Sequence, residues 1–100
     1  MSGRRIVLHA PTAASLSRAR SNAVNILAAD PTAAVEIVVN AQGAREAIEN
    51  NDRRTAPLMR YCANSLEKQD LEVPNDGTIV SSAVVYLADR QAEGWVYIRA

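Results

Sequence analysis

The sequence predicts one α/β domain over residues 1–100, with a mostly parallel sheet and helices on both of its faces. Three observations predict it. Five short runs rich in Val and Ile alternate with four stretches of helical spacing, in the order β-α-β-α-β-α-β-α-β. The first run, Ile6-Val7-Leu8, is apolar throughout, as a strand covered on both faces is. The chain has 100 residues, of which 48% are apolar, enough for one core without disulfide or metal staples.

The elements follow in order. Arg4 to Ala10 is the first strand, with His9 and Ala10 at its C-terminal end. Pro11-Thr12 makes a turn, and Thr12 is placed to cap the next helix. Ala13 to Ala29 is the strongest helix, because Leu16, Ala19, Ala23, Ile26 and Leu27 recur on one stripe. Asp30-Pro31 ends it. Ala34 to Asn40 is a second strand with a β-branched centre, followed by a polar loop, Asn40 to Gly43, and a short helix from Ala44 to Asn50. Asn51 to Pro57 has no apolar period and reads as loop. Leu58 to Ala63 is the third strand, and a helix from Ser65 to Gln69 follows at once. Asn64 or Ser65 can cap it, and Asn64 with Glu67 has the spacing of a capping box, in which two side chains satisfy each other's free backbone N–H groups. Leu71 to Gly77 is turn-rich and ends in an Asp-Gly pair. Thr78 to Ser81 is a fourth strand. Ser81 or Ser82 caps a helix to about Gln91, with Val84, Val85, Leu87 and Ala88 as its apolar residues. Gly94 suits a helix stop. Trp95 to Ile98 is the last strand, with Trp95 and Tyr97 on one face and Val96 and Ile98 on the other.

Composition excludes several functions. Lys plus Arg and Asp plus Glu each number 11, so no net field points to nucleic acid or to a membrane surface. A single cysteine rules out an internal disulfide and a cysteine-cluster metal site, and suits a cytoplasmic protein. The carboxylates are scattered, without metal-ligand spacing. The loop after the second strand lacks the glycine patterns of dinucleotide and P-loop folds, which disfavours NAD and ATP. No cofactor is called for.

The chemistry-bearing residues collect at the carboxyl ends of the strands, where ligands bind in parallel sheets. They are His9, Asn40, Cys62, Asn64, Ser65 and the Ser81-Ser82 pair. Cys62 stands where a strand passes into a helix. Free N–H groups there favour an anion, and the thiolate is the reactive form of cysteine. Arg60, two residues back on the same strand face and about 7 Å away by the strand rise, is placed to help hold negative charge. Cys62 can equally be a small buried apolar residue. His9 can assist proton transfer or steady an anion, although a lone strand-end histidine more commonly serves as a hydrogen-bonded structural residue. Nothing fixes a third member of a triad.

Four stretches together resemble the DsrE/DsrF-like (YchN-like) sulfur-relay family. Ser21 to Leu27 is similar to its first helix, and Val38-Val39-Asn40-Ala41-Gln42-Gly43 to its second strand and loop. Cys62-Ala63-Asn64-Ser65-Leu66 resembles its cysteine motif, where glycine is frequent at the position of Ala63. Arg90 to Ile98 resembles its Gln-x-x-Gly-aromatic ending, here on Gln91, Gly94 and Trp95. The resemblance covers nearly the whole chain. It implies a three-layer α/β/α domain with a five-stranded, mainly parallel sheet, assembled as a trimer or hexamer. It also implies a sulfur carrier whose cysteine, by the motif match Cys62, takes up sulfane sulfur as a persulfide. Sulfur-donor and sulfur-acceptor proteins are the partners implied.

Two further functions stand beside the relay. One is a non-catalytic assembly subunit or small-ligand binding module in which Cys62 is structural. The other is a redox sensor in which peroxide oxidises Cys62 to a sulfenic acid. A two-faced aromatic terminal strand in so small a domain also points to a homo-oligomer.

Overall fold

The computed structural model describes residues 3–74 and 77–100. Five strands and four α-helices alternate along it: β1 (Arg5–Ala10), α1 (Ala13–Ala29), β2 (Ala34–Val39), α2 (Ala41–Glu49), β3 (Met59–Cys62), α3 (Ala63–Gln69), β4 (Thr78–Val80), α4 (Ala83–Ala92) and β5 (Val96–Arg99). A 3₁₀ turn, Ala56–Leu58, leads into β3. The strands form one sheet in the order β4-β3-β2-β1-β5, and every neighbouring pair is parallel.

The helices divide three to one. Leu16, Ala19 and Ala23 of α1, Ala44 and Ala47 of α2, and Leu66 of α3 join one core with Ile6, Leu8, Ile37, Val39 and Tyr61. Fully burying one side chain such as Leu16 contributes about 1.5–3 kcal/mol. The opposite face is covered by α4 alone, through Ala83 and Leu87 on Val7, Val38 and Cys62, with Tyr86 and Trp95 alongside. The fold is therefore the expected layered α/β domain, with one outer layer reduced to a single helix.

Local chemistry explains the boundaries. Thr12 caps α1 as expected, in a reciprocal pair with Ser15: each side-chain oxygen accepts the other's backbone N–H at 3.0 Å. The stretch Asn40 to Gly43, expected as loop, is instead the start of α2. That helix opens at Ala41 in the left-handed region, φ 49°, an unfavourable conformation for alanine. Two residues of α3 hold it there: Ser65 Oγ accepts the Ala41 N–H at 2.9 Å, and Gln69 Nε2 donates to the Ala41 carbonyl at 2.8 Å. Gly43 then passes so close to the end of β1 that a Cβ would lie 1.9 Å from the Ala10 carbonyl oxygen. Leu58 belongs to the 3₁₀ turn started by Pro57, so β3 is shorter than expected at its beginning. Trp95 likewise precedes β5, which continues through Arg99. The Asp-Gly turn falls partly on Asn75 and Asp76, outside the described residues.

One apolar expectation, for α4, is revised. Val84 and Val85 of α4 are 73% and 52% exposed, and the buried residues of that helix are Ala83 and Leu87. On β5, Val96 is 54% exposed and Ile98 39% on one side and Tyr97 38% on the other, so neither side of this edge strand is fully covered.

Candidate functional site

Cys62 ends β3, beside Val80 at the end of β4. These two neighbouring strands send the chain in opposite directions: α3 returns over the three-helix face, and α4 crosses the other. Such a divergence opens a crevice beyond the strand ends, where parallel sheets bind their ligands. The Cys62 sulfur, on the α4 side, accepts the N–H of Ala83 at 3.3 Å.

The electrostatics of the thiol are a contest. Burial raises its pKa, but the Ser65 N–H, the Ala83 N–H, the Ser65 hydroxyl and the Asn64 N–H together outweigh that, and the net shift is below the ordinary 9.0. Only 5% of Cys62 is exposed, so the sulfur is polarised yet covered.

The helix start differs from the expected capping box. α3 begins at Ala63, and Cys62 itself is the N-cap, without a side-chain capping bond. Asn64 is the second helical residue, so neither it nor Glu67 occupies a capping-box position. Asn64 acts through its backbone, whereas Ser65 bridges the site with its hydroxyl, serving Cys62 and Ala41.

Arg60 shares the strand face of Cys62 but is committed elsewhere. It donates to the carbonyls of Pro57 and Met59 at 3.1 and 3.0 Å and reaches Glu36 at 3.5 Å. Its guanidinium is not among the groups that shift the thiol. Glu36, only 6% exposed in its side chain, is held far more closely by Arg90, at 2.7 Å, and also accepts the Tyr86 hydroxyl. Arg90 additionally lies 4.4 Å from the centre of the Trp95 ring. This buried cluster ties α4 to the middle of the sheet. Its signal in the sequence is the lone carboxylate in Val35-Glu36-Ile37-Val38-Val39, which a strand buried on both faces cannot keep unpaired.

His9 and Asn40 form a second group on the same rim. Asn40 Oδ1 lies 3.0 Å from His9 Nε2, and the Tyr97 hydroxyl lies 2.7 Å from Nδ1. With the amide oxygen accepting from Nε2–H, Nδ1 accepts from the tyrosine, a neutral imidazole satisfied at both ends. Its pKa is lowered below 6.5, chiefly by burial, with the Asn40 bond opposing and Arg99 reinforcing. A groove of about 400 Å³ runs between His9, Asn40 and Tyr97 on one side and Ala83, Val84 and Leu87 on the other. Ala83 thus lines the groove and binds the Cys62 sulfur. The roles of Ala83 and Tyr97 depend on packing between distant elements, and no sequence motif marks them.

Among the described residues no group of three His, Cys, Asp or Glu side chains could hold a metal ion, and no helix is long and apolar enough to cross a membrane. No protein-family model matches the chain, and neither does any curated protein. A solved structure, that of a protein of unknown function, MTH1491 from Methanobacterium thermoautotrophicum, is similar to it with a TM-score of 0.81 and 25% identity, covering 97% of this chain and 99% of that one.

Proposed function

We propose that this protein is a cytoplasmic sulfur carrier, of the kind its DsrE/DsrF-like resemblance implies, working through a persulfide on Cys62. The Cys62 thiolate attacks the outer sulfur of a donor persulfide. A bond forms between Cys62 Sγ and that sulfur, the donor's own S–S bond breaks, and the donor leaves as a thiolate. An acceptor thiolate then attacks the outer sulfur on Cys62 and releases Cys62 as a thiolate again. Each step exchanges one S–S bond for another, so no oxidant or cofactor enters. The observation that carries this reading is the Ala83 N–H donated to the Cys62 sulfur at 3.3 Å, beside the start of α3, whose Asn64 and Ser65 N–H groups also lower the thiol's pKa and so favour the anion that both steps require. The absence of a second cysteine suits transfer between proteins rather than an internal disulfide cycle.

The test is intact mass after incubation with a sulfane-sulfur donor. The protein gains sulfur that a reductant removes, and Cys62→Ser gains none. Equal loading of the variant overturns the reading. The burial of Cys62 favours a second reading, a binding or assembly module with a structural cysteine. Alkylation separates the two: a relay thiol labels near neutral pH, and a structural one labels slowly and only in alkali. Peroxide treatment followed by mass analysis distinguishes a redox sensor, through oxygen rather than sulfur added to Cys62.

A further inference from the structure

On the three-helix side of the molecule a groove of about 480 Å³ lies between α1 and the connection from α2 to β3. Ser17, Arg20 and Ser21 of α1, Glu46 of α2, and Asp52 and Arg54 of the connection line it. Arg20 Nε and Nη2 are shielded from solvent and have no hydrogen-bond partner. The only other buried side-chain nitrogen or oxygen in that condition among the described residues is Thr55 Oγ1, next in sequence to Arg54. Buried donors are nearly always paired, and a charged one is the costliest to leave unmade.

The neighbouring acids do not fill the gap. Glu46 accepts from the Asn50 amide at 2.7 Å. Asp52 accepts the Arg54 N–H at 3.0 Å and meets the Arg54 guanidinium at 3.5 Å. Arg20 makes neither contact, although its charge is felt at Asp52 as a minor influence. The identity of the two unpaired nitrogens is informative. Nε and Nη2 form one edge of the guanidinium, with parallel N–H bonds at the spacing of the two oxygens of a single carboxylate.

We propose that this groove binds the carboxylate of a small polar molecule, held side-on by Arg20 Nε and Nη2. Charge selects the class. The lining carries two cations, Arg20 and Arg54, and two anions, Glu46 and Asp52. That balance leaves no excess positive charge to favour a phosphate dianion over a carboxylate monoanion. The hydroxyls of Ser17 and Ser21 and the spare lone pairs of the acids suit a ligand bearing hydroxyl or amino groups. Because Nε and Nη2 are shielded from solvent, a lining side chain moves as the carboxylate enters. The site lies across the sheet from Cys62 and is independent of the sulfur-carrier reading.

The test follows the Arg20 Nε–H resonance by ¹⁵N NMR while acetate, or separately phosphate, is added at constant ionic strength. Acetate produces a saturable downfield shift, phosphate binds at least about tenfold more weakly, and Cys62→Ser behaves as the unmodified protein. Arg20→Lys, which keeps the charge but loses the fork, weakens acetate binding about tenfold, read from the backbone amides of Ser17 and Ser21. No saturable shift, equal or tighter binding of phosphate, or unchanged affinity in Arg20→Lys overturns the proposal.

Discussion

At the scale of single residues, the site turns on which atoms of Asn64 and Ser65 are used. Asn64 contributes its N–H alone, so Asn64→Ala leaves the pH profile of Cys62 alkylation unchanged. Ser65→Ala removes a hydroxyl that serves both Cys62 and Ala41, moves the alkylation profile to higher pH, and costs about 1 kcal/mol in denaturant unfolding. A shift in the first variant or none in the second contradicts the assignment. His9 gives a separate signal. Its folded pKa lies below 6.5, so its contribution to stability is complete above that pH. As the pH falls below about 6.5 the unfolded chain binds the proton first and the contribution is lost. His9→Gln therefore flattens the fall in stability between neutral pH and about pH 5, measured by urea unfolding at each pH. Cys62, His9 and Asn40 were legible in the sequence as rim residues, because strand ends can be located from apolar runs. The wrong expectation for Asn64 arose because Cys62 itself takes the N-cap, so the helix starts directly after the strand. A two-residue shift in the helix start converts a capping side chain into a plain amide.

At the scale of elements, strands and helices were recoverable wherever periodicity was strong, as in α1 with its cap at Thr12. They were lost where tertiary contacts decide. The α2 start is the clearest case: its first residue sits at positive φ, and Ser65 and Gln69, over twenty positions away, hold it. No local propensity reports such a contact. Gly43, by contrast, is visible in the sequence but explained only by the approach of α2 to the Ala10 carbonyl. Gly43→Ala forces backbone against backbone and destabilises the fold by about 1–3 kcal/mol, although alanine is the better helix former. Chemical denaturation checks the sign, and a stabilised variant contradicts the close approach. The second core was misread for a similar reason. Val84 and Val85 look like buried helix residues in sequence, yet Tyr86 and Arg90 fix the rotation of α4 by reaching Glu36, which turns both valines outward.

At the scale of the whole molecule, the uneven layers bear on assembly. One helix cannot cover a face five strands wide, and on the other face the edge strand β5 leaves Val96 and Ile98 partly open to solvent. If β5 lies at the contact of the expected homo-oligomer, Val96→Lys combined with Ile98→Lys dissociates it while leaving the monomer folded, since neither position is buried. Light scattering at micromolar concentration reads this directly. A single-chain mass for the unmodified protein overturns the oligomer, and a multimeric mass for the double variant places the contact elsewhere. The strand order has a consequence of another kind, for synthesis. Of these five strands β1 is made first, yet it lies inside the sheet and takes β5 as one neighbour, so its pairing closes only after α4 has emerged. Through translation of the intervening segments, the edge of β1 that β5 will occupy stays bare, with Val7 awaiting the cover of α4. A nascent chain of this topology offers a strand edge to chaperones or to a sister chain until β5 emerges, so slowing elongation beyond β4 prolongs that exposure without altering one contact of the finished fold.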